Sequence, residues 1–114
     1  MGMAVSTIEV KRFDVYLVNL DPTVGAEIQK TRPCLVVSPN EMNGHIATVI
    51  VAPMTTHGKH YPTQVACTLQ EKASLIILDH LRTVDKKRLL KKLGRLCCAE
   101  QAKVLTILAE LFAP

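Results

Sequence analysis

Glu27 and Arg32 are the side chains whose placement first raises the question of chemistry, in Asp21-Pro-Thr-Val-Gly-Ala-Glu-Ile-Gln-Lys-Thr-Arg-Pro-Cys-Leu-Val-Val37. The stretch opens on a turn, crosses a polar loop and runs into apolar residues. Both charges are thereby delivered to the rim of a core, and loops fixed by a rigid scaffold are where binding and catalytic groups concentrate. Pro33 pins Arg32, and an arginine held still can grip a phosphate bidentately, as a flexible lysine cannot. The plain alternative is a surface ion pair bracing the loop, worth little in water. Thr55, after Val49-Ile-Val-Ala-Pro-Met54, is either a turn residue or a hydroxyl donor for a phosphoryl oxygen. Pairing of the two flanking strands would bring Arg32 and Thr55 to one end of the fold.

The remaining polar groups divide more evenly. His57 and His60 form a His-x-x-His pair, but zinc needs further ligands at fixed positions and the sequence offers none. An exposed pair ranks first, substrate contact second, metal third. Asp79-His80 closes the apolar run Leu75-Ile-Ile-Leu78 and is either a buried brace or a rim group facing substrate, with Arg82 as its structural partner. Arg88, Lys91, Lys92 and Arg95 share one side of a helical projection. They read as a solvated helix face, with a phosphate-tracking patch as the alternative. No phosphate-cradling glycine loop, nucleophile elbow or zinc cluster is present. Phe13, Tyr16, Tyr61 and Phe112 are too few to make a base-stacking platform.

These groups must be positioned by a small scaffold. A chain of 114 residues supports one core, so residues 1–114 read as a single domain, with 1–11 a loose N-terminal arm. An apolar fraction of 48% exceeds what a disordered chain carries and leaves surface for a partner subunit, while a net charge of +4 favours a polyanion as ligand. Cys34, Cys67, Cys97 and Cys98 show no spaced pair and read as buried free thiols in a reducing cytoplasm. The longest apolar run, Val49 to Met54, is far too short to span a bilayer.

Phe13 to Leu20 predicts a first strand, Cys34 to Val37 a second with Pro33 at its start, and Ala47 to Ala52 a central third ended by Pro53. Thr63 to Leu69 and Ala73 to Leu81 predict a fourth and a fifth. No crossover helix separates them, so the sheet should be antiparallel and curled into a small SH3-like barrel, mainly β. Asp85 then caps a predicted short helix over Lys86 to Leu93, stopped by Gly94. A terminal helix over Glu100 to Phe112 should pack Val104, Leu105, Leu108 and Leu111 on the barrel.

Three blocks carry a resemblance. They are Asp14-Val-Tyr-Leu-Val-Asn-Leu-Asp-Pro-Thr-Val-Gly-Ala-Glu-Ile-Gln-Lys-Thr-Arg-Pro33, Val49-Ile-Val-Ala-Pro-Met-Thr-Thr56 and Leu78-Asp-His-Leu-Arg-Thr-Val-Asp-Lys-Lys-Arg-Leu89. Together they resemble the MazF/PemK (Kid) toxins, in order from about Arg12 to Leu111. The resemblance implies an SH3-like barrel with a C-terminal helix (the MazF/Kid/CcdB toxin type) and a cytoplasmic homodimer. It also implies a sequence-selective endoribonuclease acting on single-stranded messenger RNA, inhibited by a MazE-like antitoxin and meeting promoter DNA only within a toxin–antitoxin complex.

By the same resemblance Arg32 and Thr55 are the catalytic pair, with Glu27 and Asp79 beside them. The polar residues Gln29, Lys30, Thr31, Thr56, His57, Lys59, His60 and His80 are the candidate RNA contacts. RNA brings its own nucleophile, the 2′-OH, so the expected reaction uses no cofactor and no metal, and leaves a 2′,3′-cyclic phosphate and a 5′-OH. Ala26 and Ile77 stand where the Kid branch has a histidine and an arginine, which leaves the general base open. A CcdB-like gyrase poison or a non-catalytic RNA-binding barrel would share the fold. The spacing of Glu27, Arg32 and Thr55 argues against both.

Overall fold

The computed structural model describes residues 9–20, 31–58 and 60–114; most of the expected arm and the loop carrying Gly25 and Glu27 lie outside them. β-Branched and aromatic residues form β1 (Asp14–Asn19), which pairs antiparallel with β2 (Thr31–Val36) from Val15–Leu35 to Asn19–Thr31. A single helical turn, α1 (Asn40–Asn43), leads to β3 (Thr48–Thr55). β4 (Gln64–Leu69) and β5 (Lys72–Ile77) make a tight hairpin, with φ of 51° at Gln70 and 68° at Glu71. Left-handed values at both central residues let a two-residue turn follow the strand twist. A 3-10 turn (Leu78–His80) and β6 (Arg82–Asp85) follow. A second 3-10 turn (Lys86–Arg88), β7 (Leu89–Arg95) and α2 (Cys98–Leu111) complete the chain.

The sheet runs β4-β5-β3-β2-β1-β7, with β6 sharing with β5 the edge of β3 opposite β2, and every pairing is antiparallel. The result is an antiparallel half-barrel with one substantial C-terminal helix, as expected. It differs in having seven strands rather than five.

Most of that difference lies between residues 78 and 95. The predicted helix over Lys86 to Leu93 is absent: Asp85 does cap, its carboxylate accepting from Lys87 N–H at 2.8 Å, but only over one 3-10 turn. Leu89, Leu90, Leu93 and Leu96 imitate helical spacing because β7 carries two irregularities against β1. Its partners step from Gly94 to Lys92 and from Lys91 to Leu89, leaving Leu93 and Leu90 unopposed. Extra residues in a bulged strand break its two-residue alternation. Gly94 stops nothing; it pairs with Val15. Arg88, Lys91, Lys92 and Arg95 therefore do not share a helix face. Lys92 and Arg95 reach the buried carboxylate of Asp14 at 3.5 and 3.1 Å, and Arg88 donates to Asn19 O at 3.2 Å.

Alternation gives the sheet two apolar faces. On one, Val18, Cys34, Val36, Val49, Val51 and Val84 pack inside the curl. On the other, Val15, Leu35, Met54, Ile76 and Leu78 pack against α2 through Val104. The helix buries Val104 with Ile107, Leu108 and Leu111 against that face, while Leu105 of the expected stripe is exposed. Among the described residues no helix is long and apolar enough to cross a membrane.

The cysteines split by location, Cys34 and Cys67 buried but Cys97 and Cys98 exposed, so the expectation of buried thiols fails for the second pair. Burial pushes the Cys34 thiol from 9.0 up to about 12 and the Cys67 thiol up to about 11. Only an unfolded chain sheds these protons near pH 9. Stability is therefore level below that pH and falls as pH rises from about 9 toward about 12. A thiol reagent at about pH 8 should modify Cys97 and Cys98 quickly in the folded protein. Cys34 and Cys67 should react only after denaturant is added.

Candidate active site

Pro33 and Pro53 decide where the second and third strands separate. β2 and β3 pair as Val36–Val51, Leu35–Ala52 and Cys34–Pro53, and there the pairing stops. Val37 N–H bonds Ile50 O at 2.9 Å, so the backbone groups of alternate residues Ile50, Ala52 and Met54 face β2. Across from Met54 in that register stands Pro33, which has no N–H to give. Pro53 faces the opposite edge of β3, where β6 ends at Val51–Arg82 and β5 begins at Met54–Ile76. A missing donor is tolerated at such a changeover. Pro53 therefore does not end β3, which continues to Thr55.

Extending the β2–β3 register by two residues sets Arg32 opposite Thr55. Both line a cleft of about 260 Å³ with Thr31, Pro33, Met54, Thr56, His57 and Ser74. Arg32 remains anchored on its other side, paired with Val18 of β1. Its guanidinium makes no ion pair among the described residues. Thr55 Oγ1 accepts the backbone N–H of His57 at 3.1 Å, which leaves its own proton free to be donated into the cleft. The His57 ring meets Thr56 Oγ1 through Nδ1 at 3.0 Å.

Cys34 lies on the Arg32 face of β2, two residues further in. Its high thiol pKa is set first by burial, and the Arg32 and Arg82 guanidinium groups only partly offset it. Arg82 thus belongs to the Arg32 side of the sheet. It does not brace Asp79-His80: Asp79 accepts from Thr63 Oγ1 at 3.0 Å and lies 3.7 Å from His80 Nε2.

Of the residues singled out in the sequence, the structure gathers Arg32, Thr55, Thr31, Thr56 and His57 around one cleft. Asp79 and His80 sit on the 3-10 turn after β5 and do not line it. His60 turns to Gln64 O at 3.0 Å and lines a separate groove of about 440 Å³ between β4 and α2. Glu27, Gln29, Lys30 and Lys59 fall outside the described residues. Ser74 was missed. A lone hydroxyl in the pattern Ala73-Ser-Leu-Ile-Ile77 was its signal, and strand alternation turns it inward.

Comparison with known proteins places the whole chain. Residues 11–112 match the family described as PemK-like, MazF-like toxin of type II toxin-antitoxin system. The chain belongs to that family. It is 38% identical over 90 residues to Endoribonuclease MazF of Staphylococcus epidermidis, covering 74% of this chain and 75% of that protein. Two solved structures align at a TM-score of 0.78. A mycobacterial endoribonuclease, in complex with its cognate antitoxin, is 30% identical over 92% of this chain and 97% of its own. MazF from Deinococcus radiodurans is 26% identical over 94% and 99%. Family membership and the curated relative make the chain a MazF-type endoribonuclease toxin of a toxin–antitoxin system.

Within this cleft the Thr55–His57 bond ties the loop to the strand end. Thr55→Val should speed hydrogen exchange at the His57 amide by roughly fivefold, since a net hydrogen bond of about 1 kcal/mol is removed. Thr55→Ser should restore the wild-type rate, as measured by exchange followed by mass spectrometry or NMR.

Proposed function

We infer that this toxin cleaves single-stranded RNA, messenger RNA in the cell, by attack of the 2′-OH on the adjacent phosphate, without a metal ion. The observation that carries this reading is the shared cleft of Arg32 and Thr55 at the open end of β2 and β3. Arg32 clamps the non-bridging oxygens and hydrogen bonds the leaving 5′-oxygen, and Thr55 adds a neutral hydrogen bond to the same phosphoryl group. RNA supplies the nucleophile, so a bound water need not be activated. The products are a 2′,3′-cyclic phosphate and a 5′-OH.

Thr31, Thr56 and His57 at the cleft, with Gln29, Lys30, Lys59, His60 and His80 around it, are the proposed RNA contacts. Glu27 and Asp79 are the proposed carboxylates of the site by their place in the family motif. The chain acts in the cytoplasm as one toxin domain over residues 1–114 and as a homodimer. Solved relatives described as antitoxin complexes support a MazE-like protein as its partner, with promoter DNA reached only through that complex.

Purified protein incubated with a long RNA in excess EDTA should cut at defined positions and leave cyclic-phosphate ends. Arg32→Ala should lower the single-turnover rate about a hundredfold to a thousandfold, as loss of one preorganised donor does. Cutting that stops when EDTA is added would defeat the metal-free mechanism. RNA affinity should also fall steeply between about 50 and 200 mM salt, read by filter binding with a non-cleavable RNA.

A further inference from the structure

We propose that the His57 imidazole is the general base that takes the 2′-OH proton, through Nε2, in the reaction proposed above. The inference rests on that ribonuclease reading and adds the group whose place is empty in the sequence, where Ala26 and Ile77 replace the Kid-branch histidine and arginine. The described lining of the cleft consists of Thr31, Arg32, Pro33, Met54, Thr55, Thr56, His57 and Ser74. Alcohols do not hold a second proton near neutrality and an arginine does not give up its own, so neither is a base there. An imidazole exchanges protons in that range.

Position as well as chemistry favours His57. Its backbone N–H is fixed to Thr55 Oγ1 at 3.1 Å and its Nδ1 to Thr56 Oγ1 at 3.0 Å. These contacts restrict both the loop and the ring, and leave Nε2 without a hydrogen-bond partner among the described residues. A hydroxyl that donates to Nδ1 would put the remaining ring proton on Nε2. With Nδ1–H donating to Thr56 instead, Nε2 keeps its lone pair, and that is the tautomer the base requires. His60 offers no such arrangement, because its Nε2 is occupied by Gln64 O in a different groove.

The proton and bond changes close without a further reagent. His57 Nε2 takes the proton from O2′ as O2′ bonds to phosphorus. The P–O5′ bond breaks, and O5′ leaves with a proton taken from water. The imidazolium then returns its proton to solvent, which restores the charge balance.

The test uses a short RNA spanning a mapped cut and the full-length protein in EDTA. His57→Ala keeps the backbone N–H that Thr55 accepts, and the side chain is exposed, so the fold is not at stake. The expected result is a single-turnover rate lower by about a hundredfold to ten-thousandfold. Affinity for the same RNA carrying a 2′-deoxy nucleotide at the cut should stay within about threefold of wild type. His57→Gln, which can hydrogen bond but not shuttle a proton, should be as slow as His57→Ala, and added imidazole should restore part of the lost rate.

The same RNA with sulfur replacing the bridging 5′-oxygen separates base from acid, because a thiolate leaves without a proton. The loss in His57→Ala should persist on that substrate. A loss that vanishes there would make His57 the acid and overturn the proposal, as would a rate on the unmodified RNA within about threefold of wild type. Wild-type cutting in EDTA is measured first and tests the ribonuclease reading by itself. The ratio of variant to wild type then tests the base.

Discussion

One backbone donor is missing from the ladder between β2 and β3, and the site is built around that gap. Pro33 ends the pairing at Cys34–Pro53 while β2 continues against β1 as far as Asn19–Thr31. The strand carrying Arg32 is therefore fixed along one edge and released along the other. A pairing that ran on to the end would close over the space between Arg32 and Thr55 with main-chain hydrogen bonds. A gap on both edges would leave the arginine on a loose end. Register adds a second constraint, because a slip of one residue would turn Arg32 from the curled face to the α2 face. The apolar alternation of Cys34, Val36, Val49 and Val51 holds against that slip.

The rest of the sheet keeps this open end from spreading. β7 closes the far side against β1 despite its two irregularities, and Asp14 is the link that compensates for them. Its buried carboxylate accepts Lys11 N–H at 3.0 Å and meets Arg95 and Lys92 at 3.1 and 3.5 Å. Each cation is about half exposed, so its own desolvation is small and the attraction is not cancelled by it. Charges that a helical projection had placed on one solvated face are, in the fold, partly spent on fastening an edge strand. The positive potential available to RNA is correspondingly smaller than the sequence count implies.

Elements with a plain local signal were legible: the β-branched and aromatic runs of β1 and the core of β3, the loose alternation of β4 and the helical spacing of α2 were each read in place. What failed has local physical causes. Leu89, Leu90, Leu93 and Leu96 mimic a helix because two residues of β7 face no partner. Pro53 was taken as a stop because the edge on which it lacks a donor depends on the meeting of β5 and β6, which is a tertiary fact. At the site, Arg32 and Thr55 could be named from residue type and family motif. Their common cleft needed the register, and Ser74 needed the direction of β5. The separation of His57 from His60 was invisible in a His-x-x-His spacing, since it depends on Thr56 and Gln64 taking one ring each.

Cys34, fully buried, forms part of the floor beneath Arg32. Two guanidinium groups act to lower the thiol pKa, yet burial outweighs them and leaves it at about 12. Val36, Val49 and Val51 beside it are also fully buried. The arginine therefore stands with one side against a dry, apolar face and the other against the cleft. Coulomb attraction grows as the effective dielectric falls, from about 1 kcal/mol in water to about 4 kcal/mol near a protein surface for unit charges about 4 Å apart. A phosphate entering the cleft would meet that strengthened attraction, and a phosphorane gaining negative charge would gain more from it than the ground state. In the proposed reaction the apolar residues beneath Arg32 would contribute to transition-state stabilisation without touching RNA, which joins the curled core and the cleft in one unit.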